Sequence, residues 1–184
     1  DFKDFNDFVT RVDLRAANKR TLESMAYAGG FDSFNLHRAQ YFFSENGSSY
    51  IEQMIKFGNK IQDNKKSNQF DIFGDAKDSM IKLPDPIKME PWDTMKMLSY
   101  EKEVVGIYIS GHPLDNYKLE INSFCNANLN VLTNLETIKG KELRLAGVVV
   151  DIEHKETQKG KKFGVLHLED YYSSFRFYIF SKDY

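Results

Sequence analysis

The spacing of apolar residues changes once along this chain, and that change limits the folds open to it. Up to about residue 66, and again after Pro91, apolar side chains recur every three or four positions, the repeat of a helix with one buried face. Phe2, Phe5, Phe8, Val9 and Val12 share one such face. Leu22, Met25 and Ala26 share the next, behind Asn18 as N-cap and ahead of the stop signal Gly29-Gly30. Asn35 is the expected cap of a third helix through Leu36, Ala39, Phe42 and Phe43. Asn46-Gly47-Ser48-Ser49 interrupts it, and Ile51, Met54, Ile55, Phe57 and Ile61 mark a fourth. From Leu143 the repeat becomes two, so LRLAGVVVDI, FGVLHLED and FRFYIF read as three strands. Helices first and strands afterwards make an α+β chain.

The stretch from residue 63 to about 90 has neither repeat. DNKKSNQ is polar, and KLPDPIKMEP holds three of the four prolines, which remove backbone donors and stop helices. Inside it lies a short apolar island, QFDIF, with nothing local to pack on. Pro91 is expected to open a helix with a wide stripe of Met95, Leu98, Val104, Val105, Tyr108 and Ile109, ending at Ser110-Gly111. Pro113 then starts a shorter turn carrying Leu114, Tyr117 and Leu119.

Composition removes several classes of function. Fifteen Phe and ten Tyr in 184 residues supply a core, so wholesale disorder is excluded. Lys+Arg 25 against Asp+Glu 27 gives a net charge of −2, which excludes a uniformly basic coat but not local basic patches. The single cysteine, Cys125, permits no intrachain disulfide and no cysteine-based metal site, and it fits a reducing, cytoplasmic setting. No apolar run approaches the roughly 18 residues of a membrane span. The opening DFKDFNDF lacks an initiator Met and reads as the middle of a helix, so a piece of a longer protein is expected.

No catalytic motif is present. Cys125 and the four histidines, His37, His112, His154 and His167, form no local nucleophile signature, and there is no phosphate-cradling glycine loop. Three segments are candidates for binding instead. Arg11, Arg15, Lys19 and Arg20 surround a helical hairpin, where a helix N-terminus can hold a phosphate; an ordinary hairpin with a solvated rim reads the same way. Lys155, Lys159, Lys161 and Lys162 flank Gly160 in a hairpin loop, with Phe163 beyond and Phe175, Phe177 and Tyr178 on a neighbouring strand. Charges that track phosphates and rings that stack bases suit a single strand, but only one parity of those rings can face outward. In the island, Gln69, Ile72 and Phe73 make a compact peptide anchor, or else Ile72 and Phe73 fold back onto the fourth helix.

Three stretches resemble one family in order and spacing. EKEVVGIYISGHPLDNY, residues 101–117, resembles the EKE…SGHPLD-x-Y block of the alpha subunit of bacterial DNA polymerase III, the family C replicative polymerase. RVDLRAANKRTLESMAYAGGFDSFNLHRAQ resembles the second helix-hairpin-helix unit upstream of that block, and LRLAGVVVDIEHKETQKGKKFGVLHLED resembles the opening of the family's OB-fold, with Gly147 in place. The turn after Asp170 reads YYSS where the family usually has a glycine.

The resemblance implies a division into a helix-hairpin-helix-like helical domain at 1–62, a linker with a sliding-clamp-binding motif at 63–90, a helical connector at 91–139 and the N-terminal part of an OB-fold β-barrel at 140–184. It implies that Gln69, Phe70, Ile72 and Phe73 bind the sliding clamp, the polymerase's beta subunit. Arg15, Lys19 and Arg20 are the expected duplex contacts, and Lys155, Lys159, Lys161, Lys162 and Phe163 the single-strand contacts. The parent activity it implies is DNA-directed DNA polymerisation, with magnesium held by a palm domain outside this sequence. Catalytic and metal residues are expected to be absent here. The implied partners are DNA, the clamp and other holoenzyme subunits, and no membrane. A stand-alone OB-fold module that binds single-stranded nucleic acid is the alternative.

Overall fold

The computed structural model describes residues 1–44, 47–66 and 82–180. They form two compact units, Asp1–Ile109 and Ser110–Tyr184. The first contains α1 (Phe5–Arg11), α2 (Lys19–Tyr27), α3 (Arg38–Phe42), α4 (Tyr50–Lys66) and α5 (Thr94–Val105). The second contains a 3-10 turn at Pro113–Tyr117, α6 (Lys118–Phe124), two further 3-10 turns at Leu129–Thr133 and Leu135–Ile138, and strands β1 (Val148–Glu156), β2 (Lys162–Glu169) and β3 (Ser174–Phe180). Among the described residues no helix is long and apolar enough to cross a membrane.

The first unit is closed by rings. Phe5, Phe8 and Val9 of α1 are buried, and Phe5 meets Phe31 at 4.9 Å and Tyr41 at 5.0 Å between centroids. Leu22 and Ala26 of α2 and Ile51 and Met54 of α4 complete the core. Phe2, read from the spacing as part of the buried face, is 39% exposed, lying ahead of α1 with its ring edge-on to Phe8. α1 comes close to α4 because position 58 is glycine: a Cβ there would sit 2.6 Å from the Val9 carbonyl oxygen. One turn later Gln62 donates its amide to the carbonyls of Val9 and Val12, at 2.9 and 2.8 Å, and so satisfies the end of α1.

Two helix starts and one end depart from the sequence expectation. α3 is preceded by His37, not Asn35; the Gln40 side chain accepts the His37 N–H at 3.1 Å, and Asn35 is spent on a bend with φ +26°. α5 starts at Thr94, because the Asp93 carboxylate caps the Lys96 N–H at 2.9 Å. It ends at Val105, where Gly106 adopts φ +86° and returns its N–H to Lys102, a left-handed cap that glycine adopts without steric cost. The expected wide stripe is therefore short. Leu98 is buried, but Met95, Val105 and Ile109 are exposed. α5 also belongs with the first unit, packing on α2, whereas the sequence division placed it in a connector.

In the second unit the sheet is antiparallel in the order β1-β2-β3, with a bulge between Val149 and Asp151. β1 starts at Val148 and not at Leu143. The preceding residues are taken by another pairing: Asn126 N–H donates to the Arg144 carbonyl at 3.0 Å, and its side chain accepts the Arg144 N–H at 2.8 Å and donates to the Glu142 carbonyl at 3.0 Å. Leu129, Leu132 and Val165 are buried. Two carboxylates tie the turns down. Asp170 accepts the Leu129 N–H at 2.6 Å and, through its other oxygen, the N–H groups of Tyr172 and Ser173, each at 2.8 Å. Asp115 accepts the His112 N–H at 2.7 Å and the Tyr171 hydroxyl at 3.0 Å.

Candidate nucleic-acid interfaces

The helical hairpin is built by its own polar residues. In the loop between α1 and α2 the Asp13 carbonyl accepts the N–H groups of Ala16 and Ala17, and its carboxylate accepts that of Arg15 at 3.0 Å. Asn18 caps α2 by accepting the Thr21 N–H at 3.1 Å, as its position in the sequence implies. Leu14 is buried and pins the loop.

The hairpin's cations divide into two groups. Lys19 is held by Glu52 at 2.8 Å and Glu23 at 3.7 Å. The hydrogen bond to Glu52 is the main reason its ammonium pKa is raised. In return, Lys19 first and the Ser49 N–H second bring the Glu52 carboxyl down to about 2. Arg11 is paired with Asp7 at 2.8 Å and lies over the Phe2 ring. Arg15 and Arg20 are exposed and form no ion pair among the described residues. Of the residues expected at the duplex, the geometry leaves those two open and commits Lys19 to α4.

The β1–β2 hairpin places its lysines on different sides. The turn closes through Thr157, whose N–H donates to the Lys161 carbonyl at 2.8 Å. Lys155 pairs opposite Phe163, and Phe163 opposite Phe180, so these three share a face of the sheet. Phe163 and Phe180 stack at 5.0 Å. Lys162 pairs with Glu156 and falls on the opposite face. Lys155 is bound to Glu153 at 2.7 Å, which lowers the Glu153 pKa. Lys159 and Lys161 are exposed at the turn.

Register also resolves the aromatic parity. Phe175 and Phe177 stand opposite Leu168 and Leu166 and are half-buried with them. Tyr178 and Phe180 are 57% and 52% exposed and lie on the Phe163 face, together with Arg176 and His167. Arg176 and Phe180 were not singled out from the sequence. The signal was available in their alternation with Phe175 and Phe177, but which parity is outward depends on what covers the other.

Gln69, Phe70, Ile72 and Phe73 lie outside the described residues. The stretch following them is held to the first unit. Gln40 donates to the Ile87 carbonyl at 2.9 Å, and Trp92 stacks on Phe42 at 5.4 Å and packs at a tilt against Tyr100 at 4.6 Å. Among the described residues no group of three or more His, Cys, Asp or Glu could hold a metal ion.

Two capped helices around a short polar loop, with a buried leucine inside it, make the N-terminal part of this chain a helical hairpin. The family model described as helix-hairpin-helix motif matches residues 1–41. The whole chain is similar to a segment of the alpha subunit of bacterial DNA polymerase III. It is 32% identical over all of its residues to that subunit from Campylobacter jejuni and 32% identical to that from Borreliella burgdorferi. It is 29% identical over 92% of its length to the subunit from Vibrio cholerae. The chain spans 14–16% of the length of these curated relatives.

Proposed function

We propose that this chain acts in bacterial DNA replication as a non-catalytic region of a polymerase III alpha subunit that binds DNA and the sliding clamp. The observation that carries this reading is similarity to that subunit along the entire chain. Polymerisation, with its magnesium ions, belongs to the parent enzyme's palm domain, and the role of this region is processivity. Gln69, Phe70, Ile72 and Phe73 are the tether to the clamp; tethering raises the local concentration of the polymerase at the primer, so a weak peptide contact is enough. The flanking helix α4 and the segment from Lys82 to Trp92 both belong to the first unit, which supports presentation of the motif from that body. Arg15 and Arg20 supply phosphate contacts to duplex DNA at the hairpin, with Lys19 bracing the loop behind them. The three-stranded sheet is the opening of an OB-fold, and other holoenzyme subunits are partners of the same region.

A specific observation favours single-strand binding as a second activity. Phe163, Tyr178 and Phe180 share one face with Lys155 and Arg176, which suits bases stacked on rings beside a basic edge. Lys159 and Lys161, exposed at the turn, would add phosphate contacts.

The test is binding of the chain to the purified sliding clamp, with Gln69, Ile72 and Phe73 replaced together by Ala. Binding by the wild type and loss in the triple variant is the expected result. Equal binding by both, or by neither, overturns the tether. Titration of single-stranded DNA across a salt series then decides for the stand-alone OB module, whose affinity depends steeply on salt and falls when Lys155, Lys159, Lys161 and Lys162 are removed.

A further inference from the structure

Two ionised side chains in the first unit are almost entirely out of water. Arg38, at the start of α3, is 5% exposed, and Glu101, in α5, is 0% exposed. Arg38 Nη1 donates to Glu101 Oε1 at 2.7 Å and to the Tyr27 carbonyl at 3.2 Å. Its Nε and Nη2 reach the Asp32 carboxylate at 3.0 and 2.7 Å. The hydrogen bond to Asp32, and then that to Glu101, raise the Arg38 pKa against the cost of burial. The second oxygen of Glu101 accepts the backbone N–H of Ile109 at 2.7 Å. One carboxylate thus grips a residue 63 positions upstream and another eight positions downstream.

Burying such a pair is a poor way to gain stability, since apolar residues of similar volume generally do as well or better. What the pair does supply is direction. A guanidinium fork and a carboxylate meet in few geometries, whereas apolar surfaces slide. α5 needs that direction in its second half. The rings of Trp92 and Tyr100, packed on Tyr27 and Phe42, hold the stretch as far as Tyr100. Beyond Leu98 no apolar residue of α5 is fully buried, and Val105, Ile107 and Ile109 are exposed.

We propose that the Arg38–Glu101 pair is a latch that sets the register of α5 on the helical hairpin unit and, through Ile109, the point at which the chain leaves that unit. Glu101 is a positioning residue: its removal loosens placement and leaves stability intact. The latch stands on this geometry alone and is independent of the clamp and DNA readings.

The test uses the 184-residue chain with Cys125→Ser and spin labels attached through Asn59→Cys and Ile107→Cys, both exposed sites within the first unit. The parent gives one narrow inter-label distance. The double variant Arg38→Met/Glu101→Leu, which leaves no buried charge unpaired in the pair itself, keeps its Tm within about 5 °C but broadens the distance distribution. Exchange of the Ile109 amide rises at least roughly tenfold in that variant. Glu101→Gln keeps the volume but puts a donor where an acceptor is needed, and gives the same broadening in milder form. A narrow distance and slow Ile109 exchange in the double variant overturn the latch. So does a fall in Tm of more than about 10 °C, which would make the pair a stabilising contact. If the double variant does not fold, Glu101→Gln decides: an unchanged distance overturns the proposal.

Discussion

In the unit Asp1–Ile109 the interior is built around rings from three helices and one loop, Phe5, Phe8, Tyr41, Tyr50 and Phe31, with aliphatic side chains packed beside them. In the unit Ser110–Tyr184 few of the described apolar residues are buried, among them Pro113, Leu114, Leu129, Leu132 and Val165, and the turns are held by Asp115 and Asp170. Both arrangements satisfy the backbone, but by different physics. Burial of rings is strong and non-directional, so the first unit tolerates small shifts and suffers from lost volume. Carboxylate caps are directional, so the second unit suffers when a single oxygen is removed and buried N–H groups lose their partners.

The largest expected effect tests the first half of this contrast. Phe5→Ala should destabilise the first unit by about 3–5 kcal/mol, read by urea unfolding, while strand amides of the second unit keep their exchange rates. Next comes Asp170→Ala, which orphans the N–H groups of Leu129, Tyr172 and Ser173 and should cost the second unit about 3 kcal/mol in the same measurement. An unchanged midpoint would show that the sheet does not depend on this cap. Gly58→Ala is expected to cost about 2 kcal/mol, because its Cβ would press on the Val9 carbonyl and on Leu14 at 2.9 Å. Calorimetry on the variant checks it, and an increase in Tm would mean that α1 and α4 can separate without loss.

The smallest effect is electrostatic, with one site in each unit. The Asp115 carboxyl is held at about 2 against an ordinary 3.8, first by the His112 N–H and then by Lys118 and Tyr171. Its folded pKa lies below its unfolded one. Its contribution is therefore complete above about pH 4 and is lost as the pH falls through about 2. Glu52 behaves in the same way through Lys19. Carboxyl NMR titration of Lys19→Ala should return Glu52 towards 4.5 and leave Asp115 where it was. Movement of both would show that the two sites are coupled.

Much of the helical unit was legible because its signals are local. Asn18 caps α2 at the position its side chain suggests, and Phe5, Phe8 and Val9 are buried as their spacing requires. Strand order follows from the hairpins, and Phe163 with Lys155 came out on one face. Some departures are local, as at the caps of α3 and α5, but others depend on partners far along the chain. Lys19 reads as a free cation until Glu52 is placed beside it. LRLAG reads as strand until Asn126 takes the backbone of Arg144. Lys162 reads as part of one basic loop until register sends it to the far side.

By itself, then, the sequence determined where most helices and strands of this chain lie, the Asn18 cap of α2, and the family that its segment resembles. Each of those depends on neighbours a few residues apart or on a pattern of residues in order. Only the tertiary structure decided that α5 belongs with the hairpin, that Arg38 and Glu101 meet across 63 residues, and which aromatic parity of the sheet is exposed. These are matters of which surfaces compete for burial. Competition among distant surfaces is resolved by packing, which no local run of residues encodes.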